Sequence, residues 1–209
     1  MISGRRIVIV GGGPAGVAAG LAAKQQDTGA QVLVLSDERQ EPYEKPPLSK
    51  AVLTGKAMPH DAPIAGPKGV CGHGVRLQLG TAVTTLDRGT HTVVTDTGER
   101  IVYDALVLAT GSTNRVLPTL PCGRQGVHYL RTEAEARALK ARLEQSRSLL
   151  VIGGGLIGLE VAASAVELGI KTSVIEIAPR ILARVANAEL ATLIHERHRT
   201  RGVGIRLGA

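Results

Sequence analysis

Two stretches of this 209-residue chain have residue types and spacing with a direct chemical use: Gly11-Gly12-Gly13-Pro14-Ala15-Gly16 and Gly153-Gly154-Gly155-Leu156-Ile157-Gly158. Both read G-x-G-x-x-G. In that spacing the first glycine permits a tight strand-to-helix turn, the second lets backbone approach a pyrophosphate, and the third lets the helix pack closely on the strand. Free N–H groups at the helix start then face the phosphates, and the helix dipole adds about 0.3–1 kcal/mol of attraction. One such loop is a weak signal, because glycine-rich turns join strands to helices in many proteins that bind no nucleotide. Two in matching contexts imply two dinucleotides, the equipment needed to pass hydride from a nicotinamide to a flavin.

The elements that must hold these loops are legible around them. Each loop follows an apolar run, Ile7-Val8-Ile9-Val10 or Leu149-Leu150-Val151-Ile152, and opens a segment of helical composition. A second strand follows each helix and is expected to end in a carboxylate for the adenosine ribose: Gln31–Leu35 before Ser36-Asp37-Glu38, and Thr172–Ile175 before Glu176. The first β-α-β unit is thus expected as strand 5–10, helix 14–26 and strand 31–35. Six of the ten prolines crowd residues 40–70, which read as an irregular excursion. Strands near 82–87, 91–95 and 99–103 are separated by the turn signals Asp87-Arg88-Gly89 and Asp96-Thr97-Gly98. A buried strand, Ala105–Ala109, follows and ends at Thr110-Gly111. A helix begins after Thr132, where Thr132 and Glu135 make a capping box and Leu139 and Leu143 share a face. Then come strand 149–152, helix 156–168, strand 172–176, a helix near 188–201 ended by Gly202, and strand 203–207. The fold class expected is α/β, with two Rossmann-like dinucleotide-binding units, the first carrying a small β-meander.

Composition narrows the field. Phe and Trp are absent and Tyr appears three times, so the core is aliphatic, as buried parallel strands require. Missing aromatics also argue against single-stranded nucleic-acid binding, which relies on stacking platforms. The net charge is +7, and Arg180, Arg184, Arg197, Arg199, Arg201 and Arg206 crowd the end of the chain, reading as a solvated arginine-rich face. The six histidines show no metal-ligand spacing, and Cys71 and Cys122 stand alone with no C-x-x-C, as in a reducing cytosol. The uncharged run from Ile7 to Ala23 imitates a signal peptide, but Gly11-Gly12-Gly13-Pro14 would break a membrane helix. A cytoplasmic location without membrane or nucleic-acid partners is the expectation.

Several stretches together resemble the FAD-dependent reductases that pass electrons to small iron–sulfur proteins, the ferredoxin, rubredoxin and putidaredoxin reductases. They are Pro42-Tyr43-Glu44-Lys45-Pro46-Pro47-Leu48-Ser49-Lys50, Tyr103 through Gly111, Tyr129-Leu130-Arg131-Thr132, and Val151 through Ala162. The resemblance runs over essentially the whole chain, and it implies FAD and NAD(H) as cofactors and a ferredoxin- or rubredoxin-type protein as electron acceptor. It places an FAD-binding domain at 1–116 and an NAD-binding domain at 117–209. Carried over residue by residue, it implies that Gly11, Gly13, Ala15, Gly16 and Asp37 bind the ADP half of FAD. Val83, Thr110 and Arg131 fall at flavin-contacting positions, and Lys50 falls beside the isoalloxazine ring. Gly153, Gly155, Ile157 and Gly158 then form the nicotinamide coenzyme site, with Glu160 near the nicotinamide and Glu176 on the ribose. Lys50 and Glu160 are the implied catalytic residues.

Physical reasoning supports two of these roles independently. A fixed cation beside a reduced flavin offsets the negative charge that accumulates there, which suits Lys50. Glu176 suits the ribose hydroxyls of NADH and repels the 2′-phosphate of NADPH, although Arg180, four residues later, offers a cation to that phosphate. The bland alternatives are a surface lysine after a proline turn and an acid near a helix start, favoured by the dipole. The chain also departs from the family pattern. It contains no Gly-Asp dipeptide, which in that family meets the flavin's ribityl chain, and it stops at Leu207-Gly208-Ala209. The expectation is an N-terminal part of a reductase, both units incomplete at the C-terminal end. Strand 149–152 then becomes a sheet edge through which copies could self-associate. Two other functions stay open: a non-catalytic FAD- or NAD-binding or interaction protein, and a flavin disulfide reductase. The latter needs a cysteine near the flavin, where residues 42–50 offer Pro46-Pro47.

Overall fold

A computed structural model describes residues 4–61 and 63–209. The chain divides into two compact units, one formed by residues up to Glu44 with His60–Thr113, the other by Lys45–Pro59 with Asn114–Ala209.

The first unit is built on a four-stranded parallel sheet. Its strands are β1 (Arg6–Val10), β2 (Gln31–Leu35), β3 (Arg76–Gln78) and β7 (Ala105–Leu108), in the order β3-β2-β1-β7. The central strand shows why the sequence takes this form. Val8 and Ile9 are fully buried and point to opposite faces: Ile9 packs with Val17, Val34 and Val75, Val8 with Leu35, Val93 and Tyr103. Burial on both faces is what an unbroken run of β-branched residues buys in a parallel sheet. Helix α1 (Pro14–Gln26) covers the Ile9 face closely because Gly16 and Gly20 turn toward it; a Cβ on Gly20 would sit 3.2–3.4 Å from Val34, Ile9 and Val75. The other face carries the antiparallel meander β4 (Val83–Asp87), β5 (Thr92–Thr95) and β6 (Arg100–Val102). Its two turns are those the sequence signals. Asp87 Oδ1 accepts the N–H groups of Gly89 and Thr90, and Gly98 adopts φ +83°.

The second unit holds a three-stranded parallel sheet of order β10-β9-β8, from β8 (Ser148–Ile152), β9 (Lys171–Glu176) and β10 (Gly204–Leu207). Helix α3 (Leu156–Glu167) crosses from β8 to β9, and α4 (Ala188–Thr200) from β9 to β10. The core joins Val151 and Val174 of the sheet to Val161, Ala162 and Ala165 of α3. Leu139 and Leu143, the expected inner face of α2 (Glu133–Leu143), enter the same cluster. The capping box at Thr132 and Glu135 is formed, and Gly202, at φ +93°, ends α4 by donating its N–H to Arg199 O. Among the described residues β8 is an edge strand, with Leu150 and Ile152 half exposed.

Two features escape the sequence reading. Strand β3 is three residues long, too short to show alternation. Residues 45–59 do more than cover a surface: they pack with the second unit, where Pro46–Ser49 forms a 3-10 turn and Leu53 is fully buried in the core.

Candidate functional site

The two glycine loops have the same construction. Each begins with a glycine in the left-handed region, Gly11 at φ +117° and Gly153 at φ +103°, whose N–H donates to a carbonyl near the end of the adjacent strand, Leu35 O or Ile175 O, at 2.8 Å. Each ends with a glycine that must be one: a Cβ on Gly16 would lie 1.8 Å from Gly11 O, and one on Gly158 would lie 2.2 Å from Gly153 O. These four positions are therefore explained by the chain's own packing.

The middle glycines are not. Gly13 and Gly155 are the N-cap residues of α1 and α3, with φ of −76° and −82°, which any residue adopts. A Cβ on either would meet nothing within 4 Å. No side chain caps either helix. The fold gives no reason for glycine at these two places, whereas a group lying against the helix start does. An anion there would receive the first-turn N–H groups of Ala15 and Gly16, or of Leu156, Ile157 and Gly158, which have no partner within the helix. The residues present thus fit a pyrophosphate at both loops.

The strand-end acids differ between the copies. In the second, Glu176 ends β9 and turns back on the loop, its Oε2 accepting Gly154 N–H at 2.7 Å and its Oε1 accepting Ala178 N–H at 2.8 Å. In the first, Val10 pairs with Leu35 as Ile152 pairs with Ile175, so the residue in the register of Glu176 is Ser36. Ser36 is buried, and its Oγ lies 2.5 Å from where a Cβ of Gly12 would be. Asp37 stands one residue further on and is exposed. Spacing alone did not reveal that offset. Ala15 and Ile157 occupy equivalent second positions of their helices, both exposed. Thr110 lies just past β7 beside Gly11, whose Cβ would approach its N at 3.2 Å, and Val83 opens β4. Arg131 sits in the second unit ahead of the α2 cap, its N–H bound to Glu135 Oε2 at 2.7 Å.

Lys50 and Glu160 are brought together. Lys50 ends the 3-10 turn, and its Nζ lies 2.8 Å from Glu160 Oε1 and 3.1 Å from Pro46 O. Glu160 lies beyond the first turn of α3, which contains no acid, so attraction to the helix dipole does not account for it. The other carboxylate oxygen, Oε2, accepts from Ser49 Oγ at 2.5 Å. Ser49 is fixed in turn: Ser164, one helical turn past Glu160, donates its buried hydroxyl to Ser49 O at 2.8 Å. Sequence reasoning missed both serines; the signal available was Ser164 at i+4 from Glu160. A second pair, Lys56–Glu167, lies along the same shallow cleft. Such half-exposed pairs stabilise the fold by at most about 1 kcal/mol, so the arrangement is better suited to orienting an amine and a carboxylate than to holding the unit together.

Among the described residues, no cluster of three or more His, Cys, Asp and Glu could hold a metal ion, and no helix is long and apolar enough to cross a membrane. Cys71 and Cys122 are free and exposed, one in each unit.

Residues 5–209 match the family model described as pyridine nucleotide-disulphide oxidoreductase. The chain is 39% identical over 203 residues to rubredoxin-NAD(+) reductase of Pseudomonas putida, covering 97% of this chain and 53% of that protein. Among solved structures, a ferredoxin reductase from Rhodopseudomonas palustris aligns with TM-score 0.89 and 35% identity, over 98% of this chain and 50% of that one. Putidaredoxin reductase in its covalent complex with putidaredoxin aligns with TM-score 0.87 and 36% identity, again over 98% and 50%. The chain spans about half the length of the curated relatives it matches. It belongs to the pyridine nucleotide-disulphide oxidoreductase family.

Proposed function

We propose that this chain carries the FAD- and NADH-binding elements of an oxidoreductase that takes reducing equivalents from NADH and delivers electrons singly to a ferredoxin- or rubredoxin-type iron–sulfur protein. The observation that carries the reading is the pair of middle glycines, Gly13 and Gly155, which the fold leaves open and uncapped in two separate loops. The relatives support the same direction through their names, which specify NAD(+) with rubredoxin, ferredoxin with its reductase, and putidaredoxin with its reductase.

In this reading FAD is served mainly by residues 1–116 and NADH mainly by 117–209, although residues 45–59 pack with the second unit. Gly11, Gly13, Ala15, Gly16 and Asp37 hold the ADP half of FAD, with Val83, Thr110 and Arg131 as further flavin contacts. Gly153, Gly155, Ile157 and Gly158 hold the coenzyme pyrophosphate, and Glu176 takes the ribose hydroxyls. The chemistry FAD supplies when bound is acceptance of a hydride and release of electrons one at a time. Lys50 keeps a cation at the reducible ring, and Glu160 orients that amine while Ser49 orients Glu160. Glu176 disfavours a 2′-phosphate by charge.

A cytoplasmic location accords with two free cysteines, and the apolar residues on edge strand β8 accord with self-association through that edge. The disulfide-reductase reading is disfavoured by Pro46-Pro47 in the segment before Lys50. The deciding experiment is the absorbance spectrum of the purified chain with FAD, before and after anaerobic NADH. A flavin spectrum that bleaches supports the oxidoreductase. Bound flavin that stays oxidised leaves a nucleotide-binding protein, and absence of flavin binding overturns the proposal.

A further inference from the structure

Arg180 lies in the segment between β9 and α4, four residues beyond the acid that ends β9. In sequence it reads as a cation available to the 2′-phosphate of NADPH, at odds with Glu176. The structure gives its guanidinium different work. Nη1 donates to Ala186 O at 2.6 Å and to Asn187 O at 3.4 Å, and Nη2 donates to Ala183 O at 3.2 Å. Asn187 is itself the N-cap of α4, its side chain accepting Leu190 N–H. Arg180 therefore closes the 180–187 segment into a ring tied to the start of a helix.

Inside that ring the backbone is held in a conformation that few side chains adopt. Leu182 has φ +53°, one of two non-glycine residues in the left-handed region among those described. Its carbonyl accepts the N–H groups of Val185 and Ala186, and its own N–H donates to Gly154 O at 2.9 Å. Gly154 is the middle residue of the triple glycine in the second loop. Its N–H, on the other side, donates to Glu176 Oε2. The loop is thus clasped from both sides, by the strand-end acid at one peptide group and by the left-handed residue at the next. Ile181, fully buried, fills the space against Gly154; a Cβ there would come within 2.9 Å of its Cγ2. The first loop has no such clasp in its strand-end residue: Ser36 is held instead by Gln78 O and Thr81 N–H.

We infer that Arg180 is a positioning residue for coenzyme selection: by tying the 180–187 segment it holds Leu182 against Gly154, and so keeps Glu176 set for the ribose of NADH. This rests on the reading of the second loop as the nicotinamide coenzyme site. In this role the guanidinium acts through the main chain and not as a phosphate ligand: Nη1 and Nη2 already donate to three carbonyls of the segment. Loss of Arg180 releases Leu182 from its strained conformation, frees the Gly154 carbonyl, and lets Glu176 leave the orientation that distinguishes a ribose hydroxyl from a phosphate.

The test compares the unmodified chain with Arg180→Met, which keeps the side-chain stem, and Arg180→Lys, which keeps a donor for one carbonyl. NADH and NADPH dissociation constants are measured by nicotinamide fluorescence, and amide hydrogen exchange is followed at Gly154 and Leu182. In Arg180→Met the preference for NADH should fall by about tenfold, as one charge-assisted hydrogen bond to the ribose is lost. Exchange at Leu182 should accelerate, and Arg180→Lys should recover part of both. A fall in NADPH affinity that exceeds the fall in NADH affinity would make Arg180 a phosphate ligand and overturn the inference. So would unchanged exchange at Leu182. If the unmodified chain binds neither coenzyme, the coenzyme reading itself fails and the selection role falls with it. The clasp is still decided by exchange, where acceleration supports it. Should Arg180→Met fail to fold, Arg180→Lys carries the comparison, exchange at Leu182 faster than in the unmodified chain supporting the clasp and a native rate refuting it.

Discussion

Replacing Gly13 by serine separates a glycine kept for the fold from one kept for a ligand. The position is the N-cap of α1, where serine ranks with the best residues and glycine trails it by only a few tenths of a kcal/mol. The backbone there, φ −76° and ψ −177°, suits serine, and its Cβ would meet nothing within 4 Å. Thermal stability without flavin should therefore stay level or rise slightly. FAD binding should drop for two reasons that act together. The new side chain occupies space the pyrophosphate needs, and its hydroxyl accepts a first-turn N–H that would otherwise go to phosphate. Losing one charge-assisted hydrogen bond costs about 1.5–3 kcal/mol, which corresponds to roughly 10- to 150-fold in affinity at 1.4 kcal/mol per decade.

Gly16→Ala is the contrast. Its Cβ would lie 1.8 Å from Gly11 O, so the loop or helix must shift, at about 1–3 kcal/mol or more. The assay pairs thermal unfolding followed by circular dichroism with FAD titration followed by flavin fluorescence. Native stability and native FAD affinity in Gly13→Ser would refute the reasoning, as would destabilisation matching that of Gly16→Ala. Gly155→Ser, titrated with NADH, repeats the test in the second loop.

Three other outcomes are expected. Lys50→Met should leave stability within about 1 kcal/mol, as removal of a half-exposed ion pair does; with FAD loaded, it should slow flavin reduction in stopped flow, and Ser49→Ala should slow it less. Thr132→Ala removes the side chain that accepts Glu135 N–H and should cost about 1 kcal/mol, read as a lower denaturant midpoint at unchanged slope. His198 has its pKa pushed below 6.5 by burial, with Arg201 and His195 adding repulsion. The unfolded chain then binds the extra proton first, so its contribution to stability is present above pH 6.5 and declines as pH falls below it. A flatter profile for His198→Gln between pH 7 and 5 would bear this out, and an identical profile would not.

Most of the architecture is legible in the sequence because the strands of the two parallel sheets, β3 apart, carry their own signals. Ile7–Val10 and Leu149–Ile152 are apolar runs closed by a glycine loop, and Thr132 with Glu135 marks a helix start by local hydrogen bonding alone. What stays hidden depends on partners distant in sequence. Strand β3 exists because Leu77 pairs beside Val34, a fact no three-residue window carries. Ser49 and Ser164 meet only after the 3-10 turn at Pro46–Ser49 packs on α3, so neither serine is distinguishable from any other until the fold is known. The offset between Ser36 and Glu176 is a matter of register, and it appears only when the two sheets are laid strand on strand.

That offset bears on how one chain distinguishes two similar ligands. The two loops match in their glycine dihedrals, open N-caps and close third glycines, so under the proposed assignment the loops themselves give no discrimination between FAD and NADH. Discrimination must come from what stands behind each loop. Behind the second is a carboxylate with both oxygens engaged by backbone N–H groups, braced by Leu182 and the Arg180 ring. Behind the first is a small buried hydroxyl, with the nearest carboxylate, Asp37, one residue further out in solvent. Exchanging the two, as Ser36→Glu, would place a carboxylate where Gly12 and Ser36 already meet closely. FAD affinity should then fall while the second loop keeps its NADH affinity, and unchanged binding of both would mean that the strand-end residues do not set which dinucleotide each loop takes.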